Sequence, residues 1–311
     1  MENNQLQQIG LISDNYSQLS IEYDKSNEIL WTALRQNNRI PSFNAELINE
    51  VTRHQQEIEL SGGVICIGEE IHAIKYAVAS SQTPNVFNLG GHLPLIRELA
   101  MNRQIDALRA YAMNGVNALA HRLNRFNLPN IITISLLQGQ TIGAGLEVAL
   151  TSDVIIAEKK TILGFPEIMF NSFPGMGGYS LTARKAGTAI ADKMLLNGQL
   201  YTGEQAYELG LVDVLVGDGE GVNAVLKWVA ENKRIATGYL AIQKAKARYN
   251  PVTYAELIDI TEIWLDNILK LSERDFGIMD RFIRHQAKQY LPAVVAPDTM
   301  QSNVVMLKQA T

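Results

Sequence analysis

The chain has 311 residues, 47% of them hydrophobic, and carries a formal net charge of −5 at pH 7. A chain of this length and hydrophobic content can bury a sizeable core, so we expect one large domain with an appendage. The acidic balance gives no support for nucleic-acid binding, which requires a basic surface. The single cysteine, Cys66, excludes an internal disulfide, and the five scattered histidines contain no close pair for a zinc site.

No apolar run reaches the roughly eighteen residues of a membrane span, and the polar N-terminus does not have the pattern of a signal peptide. We therefore expect a soluble, cytoplasmic protein that binds neither membranes nor nucleic acid and needs no cofactor or metal.

Residues 1–18 are polar and predict a flexible lead-in, and ordered elements begin after them. In chain order we predict a hairpin at 19–24 and 29–34, a helix at 43–60, a strand at 74–81, helices within 93–126, a strand at 131–137, a short helix at 145–152, strands at 153–157 and 161–164, and a helix at 179–186. Apolar runs and period-two alternation mark the strands, and helical spacing marks the helices. Short strands that feed helices over about 200 residues indicate stacked β-β-α units rather than an open doubly wound sheet.

After Gly217 the pattern is helical almost to the end of the chain. Two apolar stripes at helical spacing consist of Leu257, Ile260, Trp264, Ile268 and Leu271, and of Phe276, Met279, Phe282 and Ile283. The predicted organisation is a lead-in over 1–18, a core of β-β-α turns over 19–220, a helical region over 221–290, and a tail over 291–311 that docks or stays mobile.

Two glutamates stand out in apolar, glycine-rich surroundings. Glu147 ends the run 138–147, and Glu167 lies in 164–168, shortly before the glycine-rich segment 174–178. A carboxylate in apolar surroundings is costly, which favours a role in acid/base chemistry. Two carboxylates in one apolar pocket resist being charged together, so one pKa should rise and the pair would supply an acid and a base near neutral pH.

The small residues Gly143, Ala144 and Gly145 lead from a buried strand into a helix, whose first N–H groups are unpaired and favour negative charge. A second glycine-rich loop, 87–93, follows the strand at 74–81. Two backbone N–H groups that converge from these loops would form an oxyanion hole for a thioester or amide carbonyl.

Taken singly, these motifs have ordinary explanations. A glutamate in a short helix is usually a solvated surface residue, Glu167 follows a proline as turn residues do, and Gly90-Gly91 is a common turn pair. Their order and spacing, rather than any single motif, indicate a reaction centre.

From residue 74 to about residue 216 the chain resembles the crotonase (enoyl-CoA hydratase/isomerase) superfamily. The segments that carry the resemblance are 77–81, 87–93, 138–147, 153–158, 163–168, 174–178, 194–198 and 204–213. The resemblance implies an α/β fold, a spiral of repeated β-β-α turns with a C-terminal helical region that completes the acyl pocket. It also implies that the backbone N–H groups of Gly91 and Ala144 form the oxyanion hole, and that Glu147 and Glu167 are the catalytic carboxylates.

Several features depart from common hydratases: His92 stands where many have Asp, an extension precedes the hairpin, and 100–126 is rich in Arg, Asn and Tyr. With Trp264, they resemble one branch, the diffusible signal factor synthases of bacterial quorum sensing. These enzymes dehydrate a 3-hydroxyacyl thioester on acyl carrier protein and then hydrolyse the thioester, so the resemblance implies a synthase of a cis-2-unsaturated fatty acid. The residues expected to line its acyl tunnel are Ile142, Met176, Trp264 and Phe282, although Trp264 also fits an ordinary core position.

Two other functions stay open: an enoyl-CoA hydratase of fatty-acid metabolism, and a regulatory protein that binds the receiver domain of a sensor kinase. The resemblance further implies a homo-oligomer built on trimers. Because acyl carrier protein presents an acidic helix, such a partner requires a basic patch at the pocket mouth. Candidates for this patch are Arg97, Arg103, Arg109, Arg122, Arg125, Lys185 and Lys193.

Overall fold

The structure is a computed structural model that describes residues 15–35 and 39–291. Most of the predicted lead-in and all of the predicted tail beyond residue 291 lie outside the described residues. The strands are β1 (Leu19–Asp24), β2 (Ile29–Leu34), β3 (Val64–Ile67), β4 (Glu70–Ala73), β5 (Tyr76–Ser81), β6 (Val86–Asn88), β7 (Ile132–Leu137), β8 (Gln140–Ile142), β9 (Val154–Glu158), β10 (Ile162–Gly164), β11 (Leu200–Thr202) and β12 (Val214–Val216). The helices are α1 (Ala45–Leu60), α2 (Leu93–Met101), α3 (Ile105–Leu123), α4 (Ala144–Leu150), α5 (Gly178–Ala186), α6 (Thr188–Asn197), α7 (Gly203–Glu208), α8 (Gly221–Asn232), α9 (Ala236–Tyr249), α10 (Tyr254–Ile268) and α11 (Glu273–Tyr290).

Two larger sheets form the body of the fold. One has six strands in the order β1-β2-β5-β7-β9-β12, and the other has four in the order β11-β10-β8-β6. Three consecutive pairs, β5–β6, β7–β8 and β9–β10, each place their first strand in the large sheet and their second in the small one. The chain therefore winds as a spiral of β-β-α turns, which confirms the predicted fold class.

The central strands β7 and β9 of the large sheet are buried along their whole length, as expected of parallel strands covered on both faces. Every residue of β7 is buried, and β7 pairs in parallel with β5 and β9. Between the two sheets lies a core that includes Phe87, Leu137 and Phe165. The loops that leave β6 and β8 therefore start from well-packed positions.

The predicted helices and hairpin are present with small shifts in their bounds. Helix α1 begins after Asn44, whose side chain accepts a hydrogen bond from the Leu47 N–H, as an N-cap does. The predicted helical segment 93–126 is divided into α2 and α3. The hairpin β3–β4 had no counterpart among the predicted elements.

The lead-in prediction is wrong for its described part. Tyr16 and Gln18 are buried, and the N–H groups of Ser17 and Gln18 donate to the Glu50 carboxylate at 2.7 and 2.9 Å. Gln18 also exchanges side-chain hydrogen bonds with Asn44. An aromatic ring and an amide that pair with α1 hold this polar segment in place.

The predicted C-terminal helical region is confirmed as α8 to α11. Thr253 caps α10, and Ser272 with Asp275 forms a capping box at the start of α11. In the part of the chain that the structure describes, no helix is long and apolar enough to cross a membrane.

Candidate active site

Glu147 lies in the first turn of α4, and its side chain is completely enclosed by the protein. Its Oε1 accepts hydrogen bonds from the N–H groups of Met176 and Gly178, both at 2.8 Å. Burial raises its pKa to about 7, although the two N–H groups favour the charged form. The position is compatible with a group that changes its protonation state near neutral pH.

Glu167 lies in the 3-10 turn Pro166–Phe170, which follows β10. A Cβ atom on Gly143 would come within 2.3 Å of its Oε1, so glycine at residue 143 leaves room for the carboxyl in this position. The Oε2 atom is buried and has no hydrogen-bond partner among the described residues. Burial first, and then the charge of Glu147, raise the pKa of Glu167 to about 8.

Each carboxyl therefore resists ionisation, and their mutual repulsion makes simultaneous ionisation still more costly. Both raised pKa values favour retention of a proton by the pair near neutral pH. One acidic and one basic carboxyl can then face the same bound molecule.

In the loop after β6, the Gly91 N–H has no hydrogen-bond partner among the described residues. The backbone groups of the residues on either side of it, in contrast, form hydrogen bonds. The Gly90 N–H donates to Asn88 Oδ1 at 2.7 Å, and the Gly90 carbonyl accepts from the Phe43 N–H at 2.8 Å. The His92 N–H donates to the Tyr111 hydroxyl at 2.9 Å. The loop is held on both sides of Gly91.

The Ala144 N–H is at the N-terminus of α4, where no earlier helical turn provides an acceptor. Gly143 before it adopts φ 55°, and its own N–H donates to the Gly164 carbonyl at 3.0 Å. A Cβ on Gly90 would come within 3.1 Å of the Ala144 nitrogen, so the two loops meet closely. Two backbone donors from different turns of the spiral can therefore bind one oxygen atom.

Tyr111 was not identified from the sequence. Its hydroxyl accepts from the His92 N–H and donates to the Phe43 carbonyl at 2.6 Å, which ties the Gly91 loop to the segment before α1. The hydroxyl is enclosed, and burial raises its pKa to about 12. In the sequence, the one sign of this role was a tyrosine on an otherwise apolar face of a helix.

His92, noted as a departure from common hydratases, is held in place by a hydrogen bond. Its Nδ1 forms a 2.8 Å hydrogen bond with Ser42 Oγ, and burial lowers its pKa. The imidazole is therefore neutral at physiological pH.

One mainly apolar cavity connects these groups. Gly91, Ala144, Glu147 and Glu167 all line it, as do Met176 and Trp264. Trp264 is also part of a buried cluster with Leu108 and Leu265, and it packs against Gly175, so core packing and cavity lining coincide in this residue.

The expectation that Ile142 and Phe282 line the cavity needs correction. Ile142 points toward Ile40 and Leu89, outside the cavity. Phe282 packs edge-on against Phe170, at 5.8 Å between ring centroids, and only Phe170 reaches the cavity. From α11, Met279 is the residue that contributes to the wall.

The expected basic patch is largely absent. Arg97 pairs with Asp280 at 2.6 Å, Arg109 with Glu262 at 3.0 Å, and Lys185 with Asp213 at 2.6 Å. Arg125 pairs with Asp153, and Arg122 is buried. Arg103 and Lys193 form no ion pair with another described residue. Within 15–35 and 39–291, no group of three or more His, Cys, Asp and Glu residues could hold a metal ion.

Comparisons with known proteins identify the family and the fold. The family model described as enoyl-CoA hydratase/isomerase matches residues 25–275. The chain is 41% identical over 98 residues to 2,3-dehydroadipyl-CoA hydratase of Escherichia coli (strain K12), a match that covers 31% of this chain and 37% of that relative.

Two solved structures share the fold. An enoyl-CoA hydratase/isomerase from Xanthobacter autotrophicus Py2 has a TM-score of 0.68 and 18% identity, over 89% of this chain and 96% of that one. DspI of Pseudomonas aeruginosa has a TM-score of 0.58 and 22% identity, over 87% and 97% of the two chains. Since the family model spans most of the chain, this protein belongs to the enoyl-CoA hydratase/isomerase family.

Proposed function

We propose that the protein removes water from a 3-hydroxyacyl thioester and then hydrolyses the thioester, releasing a cis-2-unsaturated fatty acid of the kind that serves as a quorum-sensing signal. The observation that carries the proposal is the buried pair Glu147 and Glu167 beside the N–H groups of Gly91 and Ala144, which have no partner among the described residues. Acid/base groups and a carbonyl-binding site are what an elimination next to a thioester requires.

In the proposed dehydration, the Gly91 and Ala144 amides bind the thioester oxygen and stabilise the enolate that forms when the α-proton leaves. One carboxylate takes that proton, and the other carboxyl gives its proton to the departing 3-hydroxyl, which leaves as water. The C2–C3 double bond forms in the same step or directly after it. A bend of the acyl chain where it enters the cavity would favour the cis product.

The proposed hydrolysis uses the same oxyanion site. A carboxylate removes a proton from water, the water oxygen attacks the thioester carbon, and the thiol leaves with a proton. The free acid and the thiol of the carrier are the products. Enclosure of the carbonyl among apolar side chains supports this step, because amide donors act more strongly where bulk water is excluded.

An enoyl-CoA hydratase is the second candidate. The observation that favours it is the engagement of Arg97, Arg109, Arg125 and Lys185 in ion pairs, since docking of an acidic carrier protein needs free basic residues. The names of the similar hydratases favour it as well. Binding of a receiver domain and a trimer-based assembly stay predictions of the resemblance.

Mass spectrometry of the reaction with 3-hydroxyacyl thioesters, on CoA and on acyl carrier protein, separates the two candidates. A synthase releases free cis-2-enoic acid, whereas a hydratase gives an equilibrium of trans-2-enoyl and 3-hydroxyacyl thioesters. The double variant Glu147→Gln/Glu167→Gln is the control for uncatalysed hydrolysis. Absence of free acid above this control would rule out the synthase.

A further inference from the structure

The cavity continues well beyond the carboxyl pair, between helices α1 and α3. On α3 its wall consists of Tyr111, Ala112, Gly115, Ala118, Leu119 and Arg122, which share one face of the helix. Met176, whose N–H binds Glu147, lies against Gly115, because a Cβ there would come within 2.8 Å of its sulfur. Arg122 is seven residues farther along α3, which is about 10 Å.

Three polar side chains line this distant end, and all are at least nine-tenths buried. Arg122 is 6% exposed, His54 is 2% exposed and Gln55 is 5% exposed. Each has a buried polar atom without a hydrogen-bond partner among the described residues: Arg122 Nε, His54 Nδ1 and Gln55 Oε1. Buried polar groups are normally satisfied, so these atoms point to a ligand-binding site at this end of the cavity. Arg122 Nε, and His54 Nδ1 in the tautomer that carries its hydrogen there, are donors that suit an acceptor ligand, whereas Gln55 Oε1 is itself an acceptor and suits such a ligand only if the amide turns its NH2 group toward it.

The charge at this end is not balanced by direct contact with a carboxylate of the described residues. Arg122 Nη2 donates to the Ile134 carbonyl and to Ser152 Oγ, both at 3.0 Å, and Arg122 has no carboxylate within ion-pair distance in the described part of the chain. The nearby Asp153 already pairs with Arg125.

His54 adds no charge of its own to this end of the cavity. Its Nε2 hydrogen-bonds Thr32 Oγ1 at 2.9 Å, and burial together with the charge of Arg122 lowers its pKa to about 3, so it is neutral. The end of the cavity thus holds one guanidinium that no carboxylate of the described residues contacts directly, and Asp153 compensates its charge only from a distance.

We propose that this end of the cavity binds a carboxylate at the far end of the acyl chain, so that the preferred substrates are thioesters of ω-carboxy acids. A carboxylate can accept from Arg122 Nε and compensate the guanidinium charge. An extended chain advances about 3.3–3.6 Å for every three backbone bonds. A span of about 10 Å therefore corresponds to roughly nine bonds between the reacting carbons and the carboxylate. The inference rests on the proposed thioester chemistry and specifies the acyl chain: the cis-2-unsaturated acid released from such a substrate carries a second carboxylate at its far end.

The test compares CoA thioesters of 3-hydroxy acids that end in methyl, hydroxyl or carboxylate, at matched lengths of roughly eight to fourteen carbons. For the wild type, kcat/KM should favour the carboxylate over the methyl terminus by about tenfold or more at one optimal length. Equal or better turnover of the methyl series would overturn the proposal. Equal turnover of the hydroxyl and carboxylate series would also overturn it, because charge would then play no part.

Arg122→Met is the obvious variant, but it also removes the hydrogen bonds to Ile134 and Ser152 and can prevent folding. Gln55→Glu keeps the shape and places a carboxylate beside the same cavity end. It should abolish the ω-carboxylate preference, whereas Gln56→Glu, the same change at the exposed neighbouring residue, should retain it. Retention of the preference in Gln55→Glu would count against the site.

A binding measurement separates this inference from the proposed function. Free α,ω-dicarboxylic acids should raise the melting temperature of the wild type more than monocarboxylic acids of the same length, and Gln55→Glu should lose the difference. Turnover of plain acyl thioesters without this difference overturns only the distal site. Preferential stabilisation by dicarboxylic acids without turnover of any thioester supports the site and overturns the proposed chemistry.

Discussion

Glu147 and Glu167 are close in the fold but differ in environment. Glu147 accepts two backbone N–H bonds, whereas one oxygen of Glu167 is buried without a partner among the described residues. Two hydrogen bonds to the charged form favour ionisation of Glu147, and the unpartnered oxygen together with the charge of Glu147 favours the neutral form of Glu167. We therefore expect Glu147 to be the first of the two to lose its proton.

Replacement of either glutamate by glutamine should lower the dehydration rate by about two orders of magnitude or more, because a general acid or base is lost while the shape is kept. In Glu147→Gln the new amide oxygen can still accept from the Met176 and Gly178 N–H groups, so folding should be normal. Steady-state kinetics with circular dichroism checks both points. Turnover near the wild-type rate in one variant would remove that residue from the chemistry.

The carboxyl pair should also make the protein less stable as the pH rises. Both pKa values are raised from the ordinary 4.5, to about 7 and about 8. From pH 4.5 upward the unfolded chain has lost these protons while the folded protein retains them, so the free energy of unfolding falls until about pH 8 and then levels off.

Urea unfolding from pH 5 to pH 9 measures this effect, expected at about 1 kcal/mol or more between the two limits. The double glutamine variant should remove that decline. Glu208→Gln, a matched change at an exposed position, should leave it in place. A decline as steep in the double variant as in the wild type would show that other groups cause it.

At the scale of elements, the site depends on how helices hold its loops. Helix α3 fixes the Gly91 loop through the Tyr111 hydroxyl. Tyr111→Phe should therefore lower kcat about tenfold with little change in KM, since removal of a complete oxyanion donor typically costs more than that. Tyr111 is a positioning residue in this account.

Tyr254→Phe is the matched control. It also removes a tyrosine hydroxyl that is hydrogen-bonded to α3, but this hydroxyl donates to Asn117 at the protein surface. Similar loss of melting temperature in both variants, with a lower kcat in Tyr111→Phe alone, is the expected pattern. Equal kcat in the two variants would mean that the Gly91 loop does not need this support.

The C-terminal helices should influence which acyl chains fit. Trp264→Ala should admit bulkier or longer chains, because the indole lines the cavity. Phe282→Ala should leave the product profile unchanged, because Phe282 packs against Phe170 and does not itself line the cavity. Product profiles from mixed acyl thioesters provide the measurement, and an unchanged profile with reduced stability in Trp264→Ala would identify Trp264 as core only.

At the scale of the whole molecule, charge bears on the choice of carrier. The net charge is −5, and most basic residues considered for a docking patch are paired or buried. We therefore expect no strong electrostatic attraction of an acidic carrier protein. Competition kinetics at low and high salt should show comparable use of CoA and carrier-protein thioesters, with little loss at high salt. A carrier-protein rate that falls steeply with salt would contradict this expectation.

Local patterns predicted the spiral, and they indicated two glutamates and two backbone amides that the fold brings to one cavity, because strands, glycine turns and helix starts have signals within a few residues. Predictions that needed side-chain direction were less successful. Ile142 lies beside the donor Ala144 in sequence yet faces Leu89, and Phe282 belongs to an apolar stripe whose cavity-facing member is Met279. The Tyr111 contacts join residues 43, 92 and 111, a separation that no local pattern expresses.

The three β-β-α turns each contribute a different part of the site. The first turn provides the Gly91 amide, the second provides the Ala144 amide and Glu147, and the third provides Glu167. In the proposed mechanism, the groups that bind the carbonyl and those that transfer protons are thus encoded in separate stretches of sequence. Descendants of such a gene can lose or exchange one chemical step by substitution in a single repeat while the others persist, which makes new reactions accessible in small evolutionary steps.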